Sequence, residues 1–367
     1  MIDTQLILLE GLPATGKSTN SAFIRIQLER NGKRAKWIHE VARPHPTVFF
    51  SEACLRRCEY EALLKAHPES AQTLNQIAMF TKNTVGIDLM EVEWNYADTI
   101  GDSAFNALKA YHSWDFSLER YEEFALEKWA QFAETALRDK DTVYILDSSL
   151  FQAQIFTFLW DNAPYERLER FVKRLCDIVE PLNPALIYFY REDAEATIDY
   201  LEKDRGPQDL ANIWERDKAR PYYLDKPTGA EGFKQFLRDY AASARLLFDA
   251  LDCRKLPIEI SKADWTSYEN RMLSFLEIEY KPSPDFLPHN GIYRNEALNL
   301  EITINGLTMT DPNGGNRSLV PKSENEFYVE RLPTVLCFVS PGQLVISGMQ
   351  ICERWTTTGL IYEKSER

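Results

Sequence analysis

Residues 11–18 read Gly-Leu-Pro-Ala-Thr-Gly-Lys-Ser, directly behind the apolar run Leu6-Ile7-Leu8-Leu9 and ahead of an amphipathic stretch, 19–30, that stops at Asn31-Gly32. Strand, glycine-bearing turn and helix in that order leave few folds open. A strand that apolar is buried in a parallel sheet, and the helix returns along one face of that sheet. Backbone N–H groups of the turn then converge at the positive end of the helix, which suits a phosphate chain. The spacing G-x-x-x-x-G-K-[ST] lets Lys17 reach the β- and γ-oxygens of a nucleoside triphosphate while the Ser18 hydroxyl holds Mg²⁺. Gly11, Pro13, Ala14, Thr15, Gly16, Lys17, Ser18 and Thr19 are therefore the candidate ATP-binding residues, with GTP as the competing nucleotide.

The rest of the chain supplies four more apolar runs suited to the same sheet: 35–39, 143–146, 185–190 and 256–260, separated by helical patterns. The expected class is α/β, a P-loop three-layer sandwich with a parallel five-stranded sheet. In such sheets ligands gather beyond the carboxyl ends of the strands. From 51 to about 140 leucine, phenylalanine and tryptophan recur at three- and four-residue spacing, clearest over 118–137, which predicts a long helical insertion. Near Lys281 the text changes. Pro282, Pro284 and Pro288 are followed by short alternating segments with turn signals at Asn305-Gly306, 311–315 and Pro341-Gly342. The predicted division is 1–280 for the α/β domain, 281–288 for a linker and 289–367 for a small all-β domain.

A formal charge of −14 opposes extended nucleic-acid binding, because surfaces that track phosphates need clustered Lys and Arg. A small anion needs only a few local cations. No run approaches the ~18 apolar residues of a membrane span, and the first residues show no basic leader pattern, so a cytoplasmic protein free of the membrane is expected. The six cysteines are scattered; only Cys54 and Cys58 are close, and without a second pair or nearby histidines they read as buried or free thiols.

Three positions carry chemistry outside the loop. Asp147 ends the third strand, where an acid can hold Mg²⁺ together with Ser18, or can cap the next helix. Glu40 follows the second strand, which is expected beside the loop strand, and a carboxylate there can orient and deprotonate an acceptor hydroxyl. Arg191 closes the fourth strand. Between 203 and 226, Lys203, Arg205, Arg216, Lys218, Arg220 and Lys226 face Asp204, Asp209, Glu215, Asp217 and Asp225. That segment reads either as a lid with arginines for transferring phosphoryl oxygens or as a solvated, ion-paired helix. The candidate catalytic set is Lys17, Glu40, Asp147, Arg191 and Arg205. Arg43, three residues past Glu40, is a further candidate for the acceptor or the phosphates. His39 should point away from Glu40. Among the insertion's rings Tyr60, Phe80, Trp94, Tyr96, Phe105, Tyr111, Trp114 and Phe116, some should line an acceptor pocket and most should pack in the core.

Glu10-Gly11, Lys17-Ser18-Thr19, Glu40-Val41, Asp147-Ser148-Ser149, Tyr190-Arg191 and 203–205 together resemble the deoxynucleoside kinase and thymidylate kinase group over about residues 5–277. The resemblance implies a glutamate base at Glu40 and phosphate-clasping lid arginines. It also implies an acid-Arg-Ser triplet after the third strand, where this chain has Ser148 instead of arginine. The tail, through 298–306, 317–321 and 345–349, resembles the small β-barrel appended to some bacterial serine hydrolases. An ATP- and Mg²⁺-dependent kinase for a small-molecule hydroxyl is the expectation: a metabolite, an antibiotic-like compound or a nucleoside. A nucleotide-driven switch acting on a protein partner is the rival, and a homodimer stays open.

Overall fold

The computed structural model describes residues 3–365. In chain order the strands of its first part are β1 (Leu6–Gly11), β2 (Arg34–Ile38), β3 (Glu52–Arg56), β4 (Met79–Phe80), β5 (Thr84–Asp88), β6 (Thr142–Asp147), β7 (Ala185–Tyr190) and β8 (Arg254–Glu259). Five of these form one parallel sheet in the order β2-β6-β1-β7-β8. They are the five runs read from the sequence, each within two residues at either end.

Their order departs from the expectation in one respect. β2 does not lie beside β1; β6 stands between them, pairing Leu9 with Asp147 on one side and Ile38 with Leu146 on the other. Burial explains the order. β6 is buried along its whole length and takes an interior place, whereas β2 carries exposed Arg34 and Lys36 and takes the edge, where charged side chains also block further pairing. The exchange brings the Glu40 and Asp147 ends of adjacent strands together.

Helices cover both faces. The helix α1 (Lys17–Arg30) and the Trp265–Leu276 helix bury Ile24, Leu28, Tyr268 and Met272 against one face, with Leu9, Ile145 and Ile187 of the sheet. The Leu118–Arg138, Tyr165–Val179 and Ala230–Ala250 helices cover the other face with Trp129, Phe171, Leu175 and Phe236.

The segment 51–140 contains the predicted helices and, contrary to the all-helical reading, a three-stranded antiparallel sheet in the order β3-β5-β4. Its strands are short, and its buried face includes a charged residue, so the hydrophobic period gives no warning. Glu52, only 3% exposed, forms an ion pair with buried Lys128, and Gly86 leaves it room, since a β-carbon there would lie 2.0 Å from Glu52 Oε1.

Residues 281–290 have no regular secondary structure. Beyond them β9 (Gly291–Asn295), β10 (Leu300–Asn305), β11 (Thr308–Thr310), β12 (Asn316–Pro321), β13 (Glu326–Val329), β14 (Thr334–Ser340), β15 (Gln343–Gly348) and β16 (Ile361–Lys364) close an eight-stranded antiparallel barrel. Closure removes the free edges that so small a sheet would otherwise expose. The interior is filled by side chains such as Tyr293, Phe327, Leu336, Trp355 and Tyr362. Among the described residues no helix is long and apolar enough to cross a membrane.

Candidate active site

The turn between β1 and α1 depends on its glycines. Gly11 has φ 151° and approaches β7 so closely that a β-carbon would sit 2.4 Å from Phe189 O. Gly16 has φ 89° and lies against the Trp265 indole, where a β-carbon would be 2.8 Å from the ring. Ala14 also has positive φ, at 64°. Thr15 Oγ1 donates to Leu12 O at 2.7 Å and braces the loop from within. Lys17 is buried, and its Nζ donates to Gly11 O at 3.0 Å and Leu12 O at 2.9 Å.

Three carboxylates surround that ammonium. Burial pushes the Lys17 pKa down, while Glu40, Glu10 and Asp147 hold it up and Arg205 works against them. Asp147, fully buried at the end of β6, accepts from Trp37 Nε1 at 3.2 Å and from the Glu40 backbone N–H at 2.8 Å. Burial, reinforced by Glu40, raises its pKa; His39, Lys17 and a hydrogen bond from Ser18 oppose the rise. Ser18 and Asp147, the pair read as Mg²⁺ ligands, are thus brought together. Glu40 behaves in the opposite way. Burial presses its carboxyl up, but Lys17, His39 and the Gln152 amide, which donates to Oε2 at 2.7 Å, outweigh burial and hold it below the usual carboxylate range. The two neighbouring carboxyls are therefore shifted in opposite directions, Asp147 upward by burial and Glu40 downward by its cationic and amide neighbours.

Glu10 is the residue that sequence reasoning passed over as merely the partner of Gly11. It is fully buried, and its carboxyl accepts from the backbone N–H of Leu150 at 2.6 Å and of Gln152 at 3.3 Å, at the start of the Gln152–Trp160 helix. Burial dominates those hydrogen bonds and lifts its pKa to about 7. The folded protein then keeps a proton that the unfolded chain loses near pH 4.5, so this contribution to stability is full below that pH and is lost as pH rises towards 7. The change is roughly 3 kcal/mol. Melting temperatures measured from pH 5 to 8 should fall more steeply for the natural chain than for Glu10→Gln; parallel curves would contradict the assignment.

A cavity of about 300 Å³ opens beside Glu40. Its walls are Phe49, Phe116, Tyr121, Phe156, Trp114 and Trp160, and its polar atoms come from Glu40, Ser148, Gln152, Thr157, Asp161 and Arg220. Ser148 occupies the left-handed region at φ 59° and is buried, its hydroxyl turned to the Glu40 side with no hydrogen bond of regular geometry. Gln152 Oε1 is likewise buried and unpartnered. Of the rings named from the sequence, Trp114 and Phe116 line this cavity. Tyr60 and Phe80 instead pack edge to face 5.7 Å apart in the insertion, and Trp94 carries the Arg43 guanidinium at 4.2 Å.

The candidate arginines separate. Arg205 is close enough to act on Lys17, although it also stands 3.9 Å from Asp209. Arg191 Nη1 donates to Ala196 O at 3.0 Å, beside a second cavity of about 360 Å³ that Leu12 and Thr15 also line. In the segment 203–226, Arg216 pairs with Asp217 and Lys218 with Glu215, so the ion-paired reading holds for these two. Arg220 lines the Glu40 cavity, 5.3 Å from the Trp114 ring and 5.2 Å from that of Trp160, and Arg216 also stands over the Trp114 ring at 4.8 Å. Arg43 points away from the cavity to Asp88, at 2.8 Å, and fastens the insertion. Thr19 is exposed and borders a crevice against the barrel rather than the glycine loop's interior. His39 Nδ1 accepts from Val41 N at 3.3 Å.

Gln152, Trp160 and Trp265 were not singled out from the sequence, and Arg220 was named only as one cation of the 203–226 segment. Each lies near the site through a tertiary contact, and only the position of Gln152 just past the Asp147 strand end was a local signal. In comparisons with known proteins, the chain matches no known family and no curated sequence significantly.

Proposed function

We propose that the chain is a P-loop kinase that moves the γ-phosphoryl group of MgATP to a hydroxyl of a small molecule. The observation that carries this reading is an acceptor-sized cavity beside a carboxylate kept ionised by Lys17. Residues 11–18 fit a polyphosphate on their own chemistry. The loop approaches β7 too closely at Gly11 for any side chain, and a buried ammonium rests on the loop's carbonyls. Ser18 and Asp147 would hold Mg²⁺, which when bound neutralises charge on the phosphates.

Glu40 orients the acceptor hydroxyl and takes its proton while the acceptor oxygen bonds to the γ-phosphorus and the bond to the β,γ-bridging oxygen breaks. Lys17, and Arg205 from the 203–226 segment, stabilise the charge spread over the transferring oxygens. The rings facing Glu40 suit a flat acceptor and exclude water from the transfer. A protein-directed switch has no need of such a cavity beside its carboxylate.

Incubation with γ-labelled ATP and a panel of hydroxyl compounds, with mass detection of product, tests the reading. Label appearing only in inorganic phosphate, whatever the compound, would count against it. Trp114→Ala should raise the KM for an accepted compound roughly ten-fold, about 1.4 kcal/mol, without changing the affinity for MgATP. An unchanged KM would remove Trp114 from the acceptor wall.

A further inference from the structure

The barrel meets the insertion where Arg354 Nη2 donates to Trp94 O at 3.0 Å, and it meets the α/β core along two further seams. One is α1, where Arg25 Nη1 donates to Pro333 O at 2.7 Å and the Tyr328 hydroxyl donates to Glu29 Oε2 at 2.8 Å. The other is the stretch that follows Glu40. Ala42 forms an isolated antiparallel bridge with Ile351, and Arg43 N donates to Gln350 O at 2.9 Å. Val41 packs against the barrel's interior cluster while also lining the cavity beside Glu40. Met349, between β15 and the bridge, packs in return against the large core of the α/β domain. The bridging segment is itself fixed from the barrel side, because Thr356 Oγ1 accepts from Ile351 N at 3.1 Å and donates to Glu353 O at 2.6 Å.

The need for such support follows from the sheet order. β2 is an edge strand ending at Ile38, so the chain beyond it has a sheet neighbour on one side only. On that side the Glu40 N–H is held by Asp147 at 2.8 Å. From the other side the barrel supplies the backbone bridge at Ala42 and Arg43 and the packing at Val41, while the insertion holds the Arg43 side chain through Asp88 and Trp94.

We propose that the barrel is a positioning element for Glu40: residues 349–351 splint residues 41–43, fixing where the carboxylate stands and shaping the acceptor wall through Val41. The catalytic half of this inference rests on the phosphotransfer reading; the mechanical half does not.

The test uses the full chain and two substitutions remote from the site. Met349→Ala removes the contact with the α/β core, and Thr356→Val removes the hydroxyl that fixes Ile351. Having both guards against a barrel that fails to fold in one of them. Amide hydrogen exchange in peptides spanning 39–43 should accelerate about ten-fold or more in either variant. Hydrolysis of MgATP with water as acceptor should drop roughly ten-fold, as expected for a misplaced group, while MgATP affinity by calorimetry stays within about two-fold. Faster exchange in barrel peptides with 39–43 unchanged would overturn the splint, and loosened 39–43 exchange with hydrolysis intact would overturn its catalytic half. If the natural chain fails to bind MgATP at all, the phosphotransfer reading falls alone, and accelerated exchange at 39–43 still supports the mechanical half.

Discussion

Glu40→Gln should lower transfer to the acceptor by roughly 10² to 10⁴-fold, the range expected for loss of a general base, and leave MgATP affinity within about two-fold. The substitution keeps shape and hydrogen bonding. Gln152 Nε2 can still donate to the amide oxygen as it does to Glu40 Oε2 at 2.7 Å, and the backbone N–H at position 40 still reaches Asp147. Lys17 loses one of three neighbouring carboxylates but retains Glu10 and Asp147. What disappears is the proton acceptor at the cavity mouth. Single-turnover transfer alongside calorimetry separates the two quantities, and a variant that transfers at the natural rate would remove Glu40 from the reaction.

Lys17→Ala should cost on the order of 10³ in turnover and weaken MgATP binding as well, because one cation serves both the bound phosphates and the developing charge. A second effect follows from burial. Without the ammonium, Glu10, Glu40 and Asp147 lose the cation they share, and Gly11 O and Leu12 O lose their donor. The variant should therefore melt lower than the natural chain when nucleotide is absent. A variant equally stable and still binding MgATP tightly would show that the buried lysine is a packing residue and nothing more.

The five main-sheet strands were legible because each is a short apolar run placed between helical patterns, and burial on both faces leaves that mark locally. Strand order was not, since β6 earns its interior position only in comparison with β2, whose exposed Arg34 and Lys36 suit an edge. The small sheet of the insertion was hidden for a related reason. It buries Glu52, which a hydrophobic pattern reads as exposed, and its partner Lys128 is far away in sequence. Around the site, Lys17, Glu40 and Asp147 were visible as strand-end and loop residues. Arg43 has the same local appearance, yet Asp88 from the insertion claims it. Arg220 looked like one cation among several until Trp114 and Trp160 gave it a seat at the cavity.

The loop carbonyls that accept from the Lys17 ammonium at 3.0 and 2.9 Å take two of its three N–H donors. A first anionic oxygen can be met by the third without breaking either contact. On the phosphotransfer reading, each further oxygen that draws the ammonium off a carbonyl exchanges one charge-assisted contact, worth roughly 1.5–3 kcal/mol, for another, an exchange that would favour ligands of higher valence.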